Sequence, residues 1–382
     1  MDVLYFCYGE KPTGVIRSQV VDVVRQLGEM GLEANLAVAV PARGSTESGR
    51  VFREVMPSAR VMTAAPTRLQ SWLVGAESFR IAMLLKSAKP RALICRNAFA
   101  ADLVLRAREL SGFRCTVCLD GRGALMAEQA EYGVHPAYSV PQVGEIERRA
   151  VLLADARIAV TAGLVAYWRR AYGYKSDRHV IIPTTLSSSW TSTGPDPAAR
   201  AAIRSRLGIA DDEVVLLYAG SNSPWQGIDL LLDEAERGLA RSSRVKFLFL
   251  TDPTPRMNQI MHENDGRFIQ QRVRPTEVRD WMQAADYGML IRPSTETNEV
   301  AFPTKYAEYL SAGLKVISNG PPAVLKHLAL TGSGLRVHSQ LPWEALRTGT
   351  PDDRQKSYAV AVRDFSKSSY RSEYANLTSL LL

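Results

Sequence analysis

Arg292-Pro-Ser-Thr-Glu296-Thr-Asn-Glu299-Val-Ala-Phe-Pro303-Thr-Lys305-Tyr-Ala-Glu308-Tyr-Leu-Ser-Ala-Gly313-Leu-Lys-Val-Ile-Ser318 is the stretch whose reading decides the fold. It reads as a strand end, a polar loop, a short helix, a glycine stop and a second apolar strand, which is a βαβ unit. A helix that begins near Pro303 offers free backbone N–H groups and the positive end of its dipole to the loop before it. That arrangement suits an anion, above all a phosphate. Lys305 and Arg292 add formal positive charge at the same place. Glu308, one turn after Lys305, suits sugar hydroxyls instead, much as an acidic residue grips a ribose in dinucleotide sites. Taken alone, Lys305 and Glu308 are equally an i, i+3 surface ion pair on an ordinary helix, and both readings stay open at this point.

The whole chain has 382 residues, which predicts two domains of ordinary size. With 46% hydrophobic and 23% charged residues it has the composition of a globular protein with a sizeable core. The formal charge of +8 favours anionic partners such as phosphorylated metabolites or acidic lipid surfaces. Nucleic acid is not expected, because no run of Lys or Arg is long enough for a binding arm and aromatics are not interleaved with basic residues. The N-terminal Met1-Asp-Val-Leu-Tyr-Phe-Cys-Tyr reads as a buried strand and not as a signal peptide. No window of 18 residues is apolar and free of charge, so no membrane span is expected. Cys7, Cys95, Cys115 and Cys118 lie in or beside apolar runs, and they read as buried thiols in a reducing cytoplasm. Cys115-Thr-Val-Cys118 has metal or redox spacing, but neither a second such pair nor a His cluster accompanies it.

The first half alternates apolar runs with amphipathic stretches, the pattern of a parallel α/β sheet. Strands are expected at 3–8, 34–40, 92–95, 115–119, 156–160 and 180–182, and helices at 18–30, 68–86, 100–110 and 142–154. The loop from Gly9 to Gln19 leaves the first strand at the edge where ligands bind in open α/β sheets. There Gly14 permits close backbone approach and Ser18 is expected to cap the following helix. Asp120 and Arg122, in Leu119-Asp120-Gly121-Arg122-Gly123, stand on a two-glycine turn at a strand's carboxyl tip. The arginine fits phosphate or carboxylate, and the aspartate fits a hydroxyl. Arg96 follows its own strand toward the same edge. The segment 68–86 carries Leu69, Trp72, Phe79 and Met83 among Arg68, Arg80 and Lys86, which suits either a packed helix or a membrane interface. Its apolar residues fall on no single stripe, which favours the packed helix.

A Ser-, Thr-, Pro- and Gly-rich stretch at 188–197 is the expected linker. It separates an N-terminal domain at 1–187 from a second α/β domain at 198–350, and a C-terminal helix at 351–382 is expected to pack back on the first domain. In the second domain strands are expected at 213–219, 245–251, 268–273, 286–291 and 316–318. The first of these runs into Gly220-Ser-Asn-Ser-Pro224-Trp225-Gln226-Gly227.

Together these loops resemble a retaining glycosyltransferase of the GT-B fold, most similar to the family 4 glycosyltransferases, over nearly the whole chain. The most specific part is Pro303-Thr-Lys305-Tyr-Ala-Glu308-Tyr-Leu-Ser-Ala-Gly313-Leu-Lys-Val-Ile, close to the pattern P-x-K-x-x-E-Y-x-x-x-G-x-x-V-I of that group. The resemblance implies two Rossmann-like parallel-sheet domains facing across a cleft, the first binding the acceptor and the second a nucleotide-sugar donor. It implies that Glu308 binds the donor's ribose and that Lys305 and Arg292 contact the diphosphate. Ser221, Trp225 and Gln226 would lie beside the phosphates, Val273 and Glu277 would border the nucleobase, and Gly14 would approach the donor. Gln19, Arg96, Asp120 and Arg122 would serve the acceptor side. Two departures stand out. Val300 occupies the position of the first glutamate of the family's E-x7-E motif, so Glu299 or nearby backbone N–H groups would have to meet the sugar. The loop 220–227 also lacks the Arg and Lys that many relatives place there.

The implied reaction moves a sugar from a nucleoside diphosphate to an acceptor hydroxyl, with Asp120, Arg122, Glu299 and Lys305 in catalytic roles. No metal or other cofactor is expected, since relatives of this kind hold no catalytic metal and the chain shows no D-x-D. Asp120 is the candidate for orienting the acceptor hydroxyl. The implied partners are a nucleotide sugar and a glycan or lipid-linked acceptor, and the implied setting is bacterial surface polysaccharide or glycolipid assembly. The charge and the segment 68–86 suggest a cytoplasmic protein attached peripherally to an anionic inner membrane leaflet. An epimerase of the same fold and a non-catalytic sugar-nucleotide binder are the rival readings.

Overall fold

The computed structural model describes residues 1–12, 14–337 and 340–382. Thr13, in the stretch Gly9 to Gln19, lies outside them. The chain divides into two compact units, one formed by Met1–Thr185 with Lys367–Leu382, the other by Leu186–Ser366.

The first unit is built on strands β1 (Val3–Tyr8), β2 (Ala34–Val40), β3 (Arg60–Thr63), β4 (Ala92–Arg96), β5 (Thr116–Gly121), β6 (Ala156–Ala159) and β7 (His179–Ile181). They form one parallel sheet in the order β3-β2-β1-β4-β5-β6-β7. Helices cover both faces, so β1 is buried at every residue and reads as one apolar run. The register sets Arg96 beside both Cys7 and Asp120.

The second unit carries β8 (Val214–Ala219), β9 (Val245–Leu250), β10 (Phe268–Gln271), β11 (Tyr287–Leu290), β12 (Lys315–Ser318) and β13 (Gly334–Arg336). They form a second parallel sheet in the order β10-β9-β8-β11-β12-β13. In each sheet the strand order reverses at a single place: β1 lies between β2 and β4, and β8 between β9 and β11. Open α/β sheets bind ligands outside the carboxyl ends of the strands at such a switch point. The β8–β11 ladder pairs only Leu216 with Tyr287 and Leu217 with Gly288, so Tyr218 and Ala219 run on past its last pair. The Ala219 N–H left over there donates to the Tyr309 hydroxyl at 3.1 Å.

Several boundaries differ from the expected ones. The helix expected from residue 18 begins at Gly14, continues through a π turn at Arg17–Val21 and ends with Asp22–Glu29. Ser18 is therefore inside the helix, its hydroxyl donating to the Val15 carbonyl at 3.2 Å, and caps nothing. The stretch 188–197 is not a free linker. It includes a short helix at Ser188–Thr191 and belongs to the second unit, as does helix Pro197–Arg206. The single C-terminal helix is two: Pro351–Phe365 belongs to the second unit, and only Arg371–Leu381 joins the first. Strands β3 and β13, short and only partly covered, were not expected, because neither forms an apolar run.

Candidate functional site

The densest group of functional side chains lies in the second unit, around the β8–β11 switch point. Arg292 arrives just past β11, and Lys305 is the second residue of helix Thr304–Ser311. Gln226 lies on the turn Pro224–Gln226 after β8. The Gln226 side-chain oxygen accepts from Arg292 Nη2 at 2.8 Å and from Lys305 Nζ at 2.9 Å, so two cations share one neutral acceptor. Lys305 also donates to the Tyr218 hydroxyl at 3.0 Å, with its ammonium 4.4 Å from the Tyr218 ring centre. Asn298 holds the other arm of Arg292 at 3.0 Å and ties itself to the carbonyls of Trp225 and Pro293, each at 3.1 Å. Asn319 fixes the Arg292 backbone from both sides, accepting from its N–H and donating to its carbonyl.

Two glycines make this closeness possible. A Cβ on Gly220 would overlap the end of the Lys305 side chain. A Cβ on Gly227 would come within 2.8 Å of Pro293, and its φ of +67° suits glycine best. Pro303 caps helix Thr304–Ser311 with no side-chain hydrogen bond; the Tyr306 N–H turns back to the Pro303 carbonyl at 3.1 Å, which leaves those of Thr304 and Lys305 to a ligand.

Burial dominates the electrostatics here. Desolvation, with Arg292 adding to it, pushes the Lys305 ammonium down to about 7, while Glu308 holds it up. Desolvation likewise pushes the Glu308 carboxyl up to about 7 against the pull of Lys305. Both side chains keep partial solvent access. Among the described residues no protein group hydrogen-bonds the Glu308 carboxylate, so it is open to an outside donor. The arrangement can take a polyanion on Lys305 and Arg292 and hydroxyl donors on Glu308.

Other residues expected on the donor side lie further out. The Ser221 hydroxyl faces Ser223 at 2.8 Å, and its carbonyl accepts from Tyr218 at 2.6 Å. Val273 and Glu277 follow β10, two strands away from β8, where Glu277 is engaged by Arg274. Glu299 is exposed at the end of the turn Glu296–Glu299, and Val300 is buried.

The first unit gathers a second cluster at its own switch point. Asp120, at the end of β5, is 0% exposed. One of its oxygens accepts from the Tyr5 hydroxyl and lies 3.8 Å from Arg96, and the other pairs with Arg122 at 2.7 Å. Arg96 also pairs with Glu10 at 3.4 Å. Arg122 donates to the Gln19 side-chain oxygen at 3.3 Å, and Gln19 in turn donates to the Thr185 carbonyl at 2.6 Å. Lys367 donates to the Ser18 carbonyl and the Thr185 hydroxyl, and burial pushes its ammonium down to about 8. Gln19, Arg96, Asp120 and Arg122 are thus brought together. Asp120 has no surface in solvent, and its oxygen facing Arg122 is ion-paired without accepting a hydrogen bond. It anchors the two arginines. Gly14 opens the helix beside this cluster with nothing within 4 Å of where its Cβ would stand.

Tyr218, Asn298, Tyr309 and Tyr5 were not expected. Each acts by what it touches across the fold, which one-dimensional spacing does not display. Burial raises the thiols of Cys115 and Cys118, the reverse of a redox or metal-binding pair.

No model of a protein family matches the chain. Curated relatives include a D-inositol 3-phosphate glycosyltransferase of Geodermatophilus obscurus, 36% identical over 94 residues, or 25% of this chain and 20% of the relative. Another of the same name from Xylanimonas cellulosilytica is 30% identical over 149 residues, or 37% of this chain and 36% of the relative. The chain thus matches well under half the length of either. Solved structures align over far more. Anabaena HepE in complex with UDP and glucose aligns with a TM-score of 0.74 at 15% identity over 99% of both chains. Sucrose-phosphate synthase from Thermosynechococcus elongatus aligns with a TM-score of 0.73 at 13% identity over 100% of this chain and 99% of its own. The two parallel sheets and their strand orders have the fold of the GT-B glycosyltransferase structures.

Proposed function

We propose that this chain is a glycosyltransferase that moves a sugar from a nucleoside diphosphate donor to an acceptor hydroxyl, with retention at the anomeric carbon, and that its second unit holds the nucleotide. The observation that carries this reading is the convergence of Lys305 and Arg292 on a single neutral acceptor, Gln226, beside an open helix start, with the unengaged Glu308 one turn along. A diphosphate satisfies the two cations better than an amide oxygen does. Ribose hydroxyls then suit Glu308. Ser221 and Trp225 would flank the phosphates, Val273 and Glu277 would border the base, and Glu299 would meet the sugar.

In the transfer the anomeric C–O bond to the diphosphate breaks, and its electron pair stays on the leaving oxygen. Lys305 and Arg292 offset the charge that grows there, fixed in place before the reaction begins. The acceptor oxygen forms the new C–O bond, and its proton passes to the departing diphosphate, so no strong protein base is required. Arg96 and Arg122 would bind anionic groups on the acceptor or donor, and Asp120 would position them. The setting that fits is assembly of a bacterial surface polysaccharide or glycolipid, on a glycan or lipid-linked acceptor.

A panel of nucleotide sugars tested for thermal stabilisation, followed by product analysis, decides the matter. A donor at about 100 times its Kd should add about 2.7 kcal/mol to stability. Transfer to an added acceptor supports the reading. An altered sugar nucleotide formed from donor alone points to an epimerase, and stabilisation without turnover points to a binding protein. Either result overturns it.

A further inference from the structure

The helix Val74–Ala88 in the first unit has two apolar faces, and only one is covered. Ile81, Ala82, Leu84 and Leu85 turn inward, and the helix packs against helix Asn97–Ser111. On the other side Phe79 is 63% and Met83 53% exposed, four positions apart and so stacked on one stripe. Trp72, seven positions before Phe79, is 85% exposed, and Leu69 on the preceding turn is 49% exposed. Two apolar faces on one helix explain why its sequence shows no single stripe. Isolated exposed apolar residues are ordinary, but four large ones in fifteen positions form a patch that calls for a partner.

The charges beside the patch name the partner. Between residues 68 and 91 the chain carries five basic residues and one acid. That acid, Glu77, is 5% exposed and ion-paired to Arg80 at 2.7 Å. Arg68 and Lys86 stand exposed at either end of the patch. A Trp-led run of exposed apolar residues flanked along the chain almost wholly by positive charge fits the interface of an anionic bilayer, where the rings enter the headgroup boundary and the basic groups meet lipid phosphates. No helix among the described residues is long and apolar enough to cross a membrane, so the contact is with the bilayer surface. We propose that residues 69–86 form a docking surface for an anionic lipid bilayer. This rests on exposure and charge alone and stands whatever reaction the protein catalyses.

The test is co-sedimentation of the full chain with phosphatidylglycerol-containing vesicles and with pure phosphatidylcholine vesicles. Binding to the anionic vesicles, weakening with salt, is expected. The double variant Trp72→Ser, Phe79→Ser should lose at least roughly tenfold in partitioning, since it withdraws two large rings from the interface. Arg68→Glu with Lys86→Glu should lose at least roughly fivefold per position. All four side chains are exposed, so an unchanged melting temperature confirms that each variant is folded. Equal binding by wild type and both variants, or no binding to anionic vesicles at low salt, overturns the proposal. So does conversion of a wild-type dimer to a monomer by the Trp72 and Phe79 changes without any vesicle binding, which would make the occupant a second copy of the chain.

Discussion

Lys305 is an ammonium held where water cannot fully solvate it, and its acid–base behaviour follows. Its value in the free protein is about 7, below the ordinary 10.5. A bound diphosphate favours the charged form, so above about pH 7 binding must take up a proton. Affinity for UDP, the test nucleotide, should therefore weaken as pH rises through 7, approaching tenfold per unit above it. Lys305→Met should abolish that part of the pH profile, leaving the ionisation of the nucleotide and of Glu308. Calorimetry in buffers of different ionisation heat counts the proton directly. The same variant should weaken UDP binding by about 2–3 kcal/mol, the size of a charge-assisted hydrogen bond. Gly220→Ala tests the geometry without touching a charge. Its methyl group overlaps the flexible end of Lys305, which can swing away, but at a φ of +152° any side chain strains the backbone, so the expected result is a protein of lower melting temperature with most of the Lys305 affinity lost. Wild-type UDP binding by that variant would mean that Lys305 is not where the anion binds. That Lys305 and Glu308 stand one turn apart on a helix starting after Pro303 was legible from their spacing. The bond from Lys305 to Tyr218 was not, since 87 residues separate them and only the fold brings them together.

Among the elements, the pairing of β8 with β11 and the helix Thr304–Ser311 depend on one another. Tyr309 reaches from that helix across Gly288 on β11 to take the Ala219 N–H that the shortened ladder leaves unpaired. A methyl group at Gly288 overlaps the Tyr309 ring, both are buried, and neither strand nor helix can shift cheaply. Gly288→Ala should therefore cost about 1–3 kcal/mol in chemical denaturation, as overpacked cores do. A change under 0.5 kcal/mol would show that the ring has room to move. Strands such as β1, β8 and β9 were legible because each is buried on both faces and so reads as an unbroken apolar run. β3 and β13 were not, because short, half-covered edge strands carry no such signal. Helix Val74–Ala88 packs as expected, but its second face was not legible, because an apolar face left in the open looks, in sequence, like more core.

At the scale of the whole molecule, two parallel sheets were legible from the restart of the α/β alternation, but not how the chain is divided between them. Residues twelve apart serve different cores. Phe365, 1% exposed, belongs to the core of the second unit, and Leu377, 0% exposed, to that of the first with Tyr374 and Leu381. Leu377→Ala should cost about 2–5 kcal/mol, with the loss of amide-exchange protection confined to the first sheet and its helices. Phe365→Ala should cost about 3–5 kcal/mol and act on the second sheet alone. If both variants opened the same unit, the division would be wrong. The split also sets an order on the ribosome. The second unit is continuous in sequence and has all its residues once Ser366 emerges. The first unit, begun at Met1, still lacks Tyr374, Leu377 and Leu381 at that moment, so the part of its sheet that their helix covers, at β5, β6 and β7, waits open through the whole synthesis of its neighbour. The half of the molecule that is translated first is the half that finishes last, and during that interval it is the natural client of a chaperone.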